Sequence, residues 1–513
     1  MELFESMLIL VAIAIVLLQV ARHLGIPYPT ILALAGVFVA ALPWAPRITI
    51  DARLALALFI APALLNAAYD LPLRELRRNW RPLIALAGVA VVLTTAAVAW
   101  AGHVIAGLPI AAAVALGAIV APPDAAAASA TLSRLDLPRR TISVLKGESL
   151  LNDAVALLIF SAAVGMAAAP AAAVSLVPQL ALAIPGGLLI GVLVGKGYLR
   201  LAPRLAGTLG GTLLEFAATF GAWIVAERFG FSAILSVVAF GMTVARHAPE
   251  RQSPRDRLHS YSVWEATVFL LNVLAFLLMG LQAREIVTRL DASELRRALG
   301  FAGIVVAIVI LVRLAWVLLY NRLVHHVDAV RGSAPRPSLS QGIVVAWAGM
   351  RGLVTLATAL ALPASFPGRD LIVLSALAVV LGTLVVQGLT LGPLIGMLRL
   401  EPDTSFDREL STARVALLNS AIAALEARDG EPADRLRADY RAALAVASDG
   451  QHPRAVMEID KLRRRSIVAQ RRTLADLRGN GVIDDDVFHA LEQELDWVEL
   501  AVSPPDRFEL VEG

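Results

Sequence analysis

Charge-free apolar runs long enough to cross a bilayer recur along this chain from Met7 to about Leu398. One soluble core could not bury so many, since about 20 apolar residues already span the hydrocarbon layer as a single helix. Backbone groups in that layer find no water and must be satisfied within the segment, so the runs should be helices. A membrane β-barrel would instead show short alternating segments. Composition agrees, with 58% of the 513 residues hydrophobic and a mean hydropathy of +0.71. Only 17% are charged, against about 25% in soluble domains. The expected fold is an all-α polytopic membrane protein surrounded by lipid.

Thirteen spans are predicted, at 6–24, 27–45, 52–70, 81–103, 109–132, 147–168, 176–201, 207–228, 230–246, 262–281, 298–320, 340–363 and 370–398. Glu2 and Glu5 stand where a signal peptide would carry basic residues, so the first run reads as a span. Loops after odd-numbered spans hold 19 Lys and Arg, against 8 after even-numbered ones. Basic loops stay inside, which places the N-terminus outside and the C-terminal tail in the cytoplasm of an inner-membrane protein.

With thirteen spans, spans 1–6 and 8–13 have opposite orientation, the parity of an inverted repeat. Span 5 then corresponds to span 12. Pro122-Pro123 interrupts the first, and Gly349 and Gly352 interrupt the second. Prolines and glycines are common in membrane helices, but helix breakers at matched positions point to a transporter's binding site.

Residues 1–398 thus form a transmembrane domain and 399–513 a small cytoplasmic helical domain. The tail carries 16 basic and 23 acidic residues, whereas the remainder is net +10. An acidic tail argues against a nucleic-acid partner. Apolar residues at Val487, Phe488, Leu491, Leu495 and Val498 repeat at helical spacing, after a turn at Gly479-Asn480-Gly481 and a helix over 456–478. No catalytic constellation accompanies them, so a regulatory or assembly role is expected. Cysteine is absent, which excludes disulfides, thiolate metal sites and cysteine nucleophiles. No cofactor is expected. Without a GxGxxG or Walker-type phosphate loop, an ion gradient rather than ATP should supply the energy. His325-His326 in a basic loop read as surface, and Gly187, Gly191 and Gly195 read as a helix-packing stripe.

Ionisable groups deep in spans are costly and mark function by default. Residues 147–153 read GESLLND, and Glu148, Ser149, Asn152 and Asp153 fall within about 140° of arc at ~3.6 residues per turn. Asp153 lies roughly nine residues from the cytoplasmic end of span 6, about 14 Å deep at ~1.5 Å per residue. Asp124 on span 5 should lie at similar depth on the neighbouring antiparallel helix. A desolvated carboxylate holds its proton more tightly, and a nearby cation weakens that hold. Proton and monovalent cation can therefore compete for Asp153, with oxygens from Ser149, Asn152 and a broken helix completing a Na+ site. Arg351 in span 12 is also deep and needs a carboxylate. Glu148 is the leading candidate for a structural ion pair, with Asp124 and Asp153 behind it. Arg313 in span 11 is deep too, with no evident partner in the sequence.

GESLLNDAVALLIF (147–160), APPDAAAA (121–128), WEATVFLLNVLAFLLMGLQ (264–282) and WAGMRGLVTLATALALP (347–363) resemble the monovalent cation:proton antiporter-1 family over roughly residues 1–400. The resemblance implies a homodimer of 13-span protomers working by alternating access, with crossed broken helices at spans 5 and 12. It implies that Asp153 binds cation and proton, with Asn152, Ser149 and Asp124 in the site and Glu148 paired with Arg351. It also links the Asn152-Asp153 pair to electroneutral exchange. Many members have threonine where this chain has Pro123, and an acidic residue in span 3 where it has Asn66, a possible accessory position. The expectation is Na+/H+ exchange serving pH and sodium homeostasis. A K+/H+ antiporter on the same fold is the nearest alternative, and a transporter-like membrane sensor a remoter one.

Overall fold

The computed structural model describes residues 2–24, 26–40, 52–71, 73–124, 127, 137–168, 173–287, 292–331, 338–398, 400, 403, 405–426, 428, 430–448, 453–480 and 482–501. All regular structure among the described residues is helical. The chain falls into two compact units, Met1–Pro402 and Asp403–Glu512.

The first unit begins with α1 (Glu2–Leu24), α2 (Tyr28–Ala40), α3 (Ala52–Asp70) and the short α4 (Leu73–Arg78). A continuous helix, α5, follows over Trp80–Val104, with a π-helical stretch at Ile84–Ala90. Then come α6 (Ile110–Val120), α7 (Arg139–Ala168), α8 (Ala173–Leu201), α9 (Gly210–Arg228), α10 (Ala233–Arg251), α11 (Pro254–Val287) and α12 (Ala292–Arg331). The unit closes with the short α13 (Leu339–Trp347) and α14 (Leu353–Leu360) and the long α15 (Arg369–Leu398). Six of these, α5, α7, α8, α11, α12 and α15, contain stretches long and apolar enough to cross a membrane.

Both predicted interruptions have local causes. Proline has no N–H to donate and disfavours a helical residue before it, and α6 stops at Val120 ahead of Pro122-Pro123. Residues 125–132, the second half of predicted span 5, lie outside the described residues apart from Ala127. In span 12, α13 starts in a capping box between Ser338 and Gln341 and stops at Trp347; α14 resumes at Leu353.

Two buried apolar clusters hold the unit together. One gathers side chains from α1, α2, α5, α6, α7, α11, α12 and α15 together with α13 and α14. The other joins α3, α8, α9 and α10 to Leu150 and Ala154 of α7 and Trp264 of α11. The glycine stripe of α8 is a close approach to α10, since a Cβ at Gly191 would stand 2.1 Å from the carbonyl oxygen of Ser236.

The second unit comprises α16 (Ser405–Glu426), α17 (Glu431–Ser448), α18 (Pro453–Gly479) and α19 (Asp485–Ala501). Helices α16 and α17 pack together, as do α18 and α19. Ile467 and Leu474 are buried. Arg471 pairs with Asp496 (2.5 Å) and Glu499 (2.9 Å), and Arg478 with Asp485 (2.6 Å). These exposed pairs fix register more than they stabilise.

Candidate functional site

The interruption between α13 and α14 lies against the end of α6, and charged side chains take up the backbone groups that each interruption frees. A helix that stops leaves its last carbonyls without intrahelical donors. Those of α6 are met by Arg351, whose Nε donates to Val120 O and Nη2 to Ala121 O, both at 3.1 Å. Its Nη1 donates to Gly349 O within the interruption itself. The Arg351 backbone N–H donates to Thr383 Oγ1 of α15 at 3.0 Å, and Thr383 in turn donates to Val379 O at 2.8 Å.

Asp124 answers on the opposite polarity. Its backbone N–H donates to Met350 O at 2.7 Å, and its Oδ2 accepts from the N–H of Leu353, the first residue of α14, at 3.0 Å. A guanidinium thus sits at a helix C-terminus and a carboxylate at a helix N-terminus, each matched to the local dipole. Gly352 makes this possible, because a Cβ there would stand 1.7 Å from Asp124 Oδ2. Gly352→Ala is therefore expected to displace the carboxylate and lower the thermal midpoint in detergent, the cost being roughly 1–3 kcal/mol for overpacking. Gly396→Ala on α15, where a Cβ would meet nothing within 4 Å, should leave the midpoint unchanged or slightly raised. Equal midpoints for the two variants would contradict the close approach.

Helix α7 carries the second half of the site and packs on α6. Asn152 is fully buried. Its Nδ2 donates to Pro123 O at 3.0 Å, while its Oδ1 has no hydrogen-bond partner among the described residues. Asp153 is 5% exposed and close enough to Asp124 for the two carboxylates to act on each other electrostatically. No hydrogen bond to the Asp153 carboxylate is found among the described residues. Half-buried Ser149 lies one turn before Asp153 on the same helix. Asn66 is exposed on α3 and lines a cleft with Tyr69, Glu215 and Trp264, to which neither Asp153 nor Asp124 contributes.

The expected Glu148–Arg351 pair is not what forms. Glu148, 1% exposed, takes a bidentate bridge from Arg313 of α12, with Nη1 to Oε1 at 2.5 Å and Nη2 to Oε2 at 2.9 Å. Arg313 also donates to Ala346 O (3.2 Å) and Val345 O (3.0 Å), near the C-terminal end of α13. It does for α13 what Arg351 does for α6. Arg351 sits inside an interruption and meets freed carbonyls at once; Arg313 enters from a neighbouring helix and reaches both α13 and Glu148. Gly349 leaves its passage open, since a Cβ there would stand 2.3 Å from Arg313 Cδ and Nε. Thr383 was not foreseen, because it is one of several polar side chains on α15, with Ser375, Gln387 and Thr390, and nothing in the sequence sets it apart.

Residues 8–396 match the family model described as sodium/hydrogen exchanger, transmembrane. The chain is 30% identical over 520 residues to an uncharacterized Na(+)/H(+) exchanger of Mycobacterium tuberculosis (strain ATCC 25618 / H37Rv), covering 97% of this chain and 95% of that one. It is 29% identical over 530 residues to a sodium, potassium, lithium and rubidium/H(+) antiporter of Bacillus pumilus, covering 98% and 78%. Among solved structures it is similar in fold to the sodium proton antiporter MjNhaP1 from Methanocaldococcus jannaschii. That match has a TM-score of 0.61 at 19% identity and covers 78% of this chain and 99% of that one.

Proposed function

The chain belongs to the sodium/hydrogen exchanger family and is a secondary transporter rather than an enzyme, and from that premise we propose that it exchanges Na+ for H+ across the inner membrane, the two ions competing for Asp153. The observation that carries this reading is a buried carboxylate without a hydrogen-bond partner among the described residues, beside a second carboxylate and at a helix interruption. A buried charge needs compensation. Either a proton or a cation supplies it, and the binding of one displaces the other. Asn152 Oδ1, which has no hydrogen-bond partner among the described residues, is a further oxygen for a hard monovalent cation, and Ser149 and Asp124 are the other oxygen-bearing groups of the site.

Asp124 and Arg351 hold the interruptions, and the Glu148–Arg313 pair braces α7 against α12 and α13. With their polar groups tied within the protein, these segments can move as one body in alternating access. The proposal includes thirteen spans in inverted repeats, the N-terminus outside and a cytoplasmic regulatory or assembly tail, supported by the alternation of loop charge. Electroneutral exchange and a homodimer follow from the family resemblance. Pro123 brings no side-chain hydroxyl to the site, and Asn66 lies in a cleft that Asp153 and Asp124 do not line. The Bacillus pumilus relative's name includes potassium, which makes K+/H+ exchange the second reading.

The test is proton movement in everted vesicles from a strain lacking its own antiporters, on adding Na+, Li+ or K+. Na+-driven proton release is the expected result. A response to K+ alone would replace Na+ with K+. Inserted protein that gives no cation-dependent proton movement at any pH would overturn antiport.

A further inference from the structure

A second buried carboxylate lies outside the site just described. Glu215 of α9 is 2% exposed, and burying an ionised carboxylate is expensive. Its Oε1 accepts from Tyr69 OH of α3 at 2.8 Å, and its Oε2 from Ser260 Oγ of α11 at 2.5 Å. No basic side chain pairs with it among the described residues.

Glu215 stands where two clefts meet. The first is lined by Asn66, Tyr69, Gln252, Arg257, Ser260 and Trp264 among others. The second is lined by Tyr198, Thr208, Asp256 and His259 and reaches the loop that joins α8 to α9. Gln252 and Ser260 border both. Trp264, 5% exposed, lines the first cleft with a buried Nε1–H that has no partner among the described residues. Such an orphan donor marks a place for water or a hydrated ligand. Arg257 is the cationic group lining the first cleft, and its Nη1 is held by Gln252 O at 2.8 Å. Asp256 in the second cleft is occupied by Ser253 Oγ and the Gly207 N–H.

We propose that Glu215, with the hydroxyls of Tyr69 and Ser260, forms a second monovalent-cation site, separate from Asp153 and entered through these clefts. Hydroxyl oxygens can donate to the carboxylate or turn a lone pair towards a cation. The two carboxylate oxygens and two hydroxyls therefore form a ready oxygen cluster, which the Asn66 and Gln252 amides can extend. A single carboxylate among neutral oxygens suits a singly charged ion. Among the described residues no three His, Asp or Glu groups converge to hold a divalent one.

The full-length protein in detergent tests the site, with Na+ as the probe at constant ionic strength against a bulky organic cation. A ligand that binds only the folded state raises the thermal midpoint with concentration. Asp153→Asn removes the first site, so its midpoint should still rise with Na+. Adding Glu215→Gln should abolish that rise, and adding Tyr69→Phe should weaken the apparent affinity roughly five- to tenfold, as for one lost oxygen contact. A flat response in Asp153→Asn, or an undiminished one in either double variant, would overturn the proposal. If the Glu215→Gln protein does not fold, the Tyr69→Phe arm decides. Exchange by the wild-type protein is a separate readout, so failure of this site is distinguishable from failure of the antiport reading.

Discussion

Arg313→Ala is expected to destabilise the protein by about 3–5 kcal/mol, the usual consequence of leaving a buried charge without its partner. Glu148 is 1% exposed and has no other ion-pair partner among the described residues. The carbonyls of Val345 and Ala346 lose their donor in the same step. Arg351→Ala strands carbonyls of Val120, Ala121 and Gly349 but no carboxylate, so its cost should be the smaller of the two. Removing both charges with Glu148→Met and Arg313→Met should recover much of the loss, because apolar side chains of similar volume often replace a buried pair without penalty. Arg313→Lys should recover little, since an ammonium cannot reproduce a fork that meets a carboxylate and two carbonyls together. Thermal midpoints and the yield of monodisperse protein give the ranking. If Arg351→Ala is the more damaging, or Arg313→Ala matches wild type, the assigned pairing is wrong.

That pairing differs from the Glu148–Arg351 pair the sequence suggested, and the reason is geometric. Hydropathy and helical rise locate a residue along the membrane normal, so Arg313 and Arg351 could both be placed deep and Glu148 on the polar arc of span 6. They do not fix the angle at which one helix faces another, and two arginines at similar depth cannot be told apart by depth. The arc shared by Asn152 and Asp153 was legible because both lie on one helix. The interruptions at Pro122-Pro123 and Gly349 to Gly352 were legible because proline and glycine act locally. The closeness of Gly352 to Asp124 and of Gly349 to Arg313 was not, because a glycine does not reveal which side chain it admits. Glu215 was legible as a carboxylate inside the predicted span 207–228 and was passed over; its two hydroxyl partners were not legible, because they come from α3 and α11, far apart in sequence. In the tail, α18 and α19 followed from apolar spacing and a glycine turn. Helices α16 and α17 were overlooked, and much of their length is solvent-exposed.

Asp153→Asn is expected to abolish cation-driven proton movement while leaving insertion and folding intact. The amide nearly matches the carboxylate in shape, but it neither titrates between the aqueous pH values on the two sides nor offers a full negative charge to a cation. The Asp153 side chain receives no hydrogen bond from the described residues, so the substitution dismantles no network. It also removes a buried ionisable group, which costs more to bury than a neutral amide. The thermal midpoint in Na+-free buffer should therefore stay level or rise. Complete loss of transport together with unchanged stability is the signature of a carboxylate that carries ions rather than structure. Asp124→Asn should behave differently. Its carboxylate binds the N–H of Leu353, so both transport and stability should fall. The measurement is Na+-dependent proton flux in everted vesicles, normalised to inserted protein, beside midpoints from the same preparations. Persistent Na+-dependent flux in Asp153→Asn would move the ion-carrying role to another carboxylate, with Asp124 and then Glu215 the groups to substitute next.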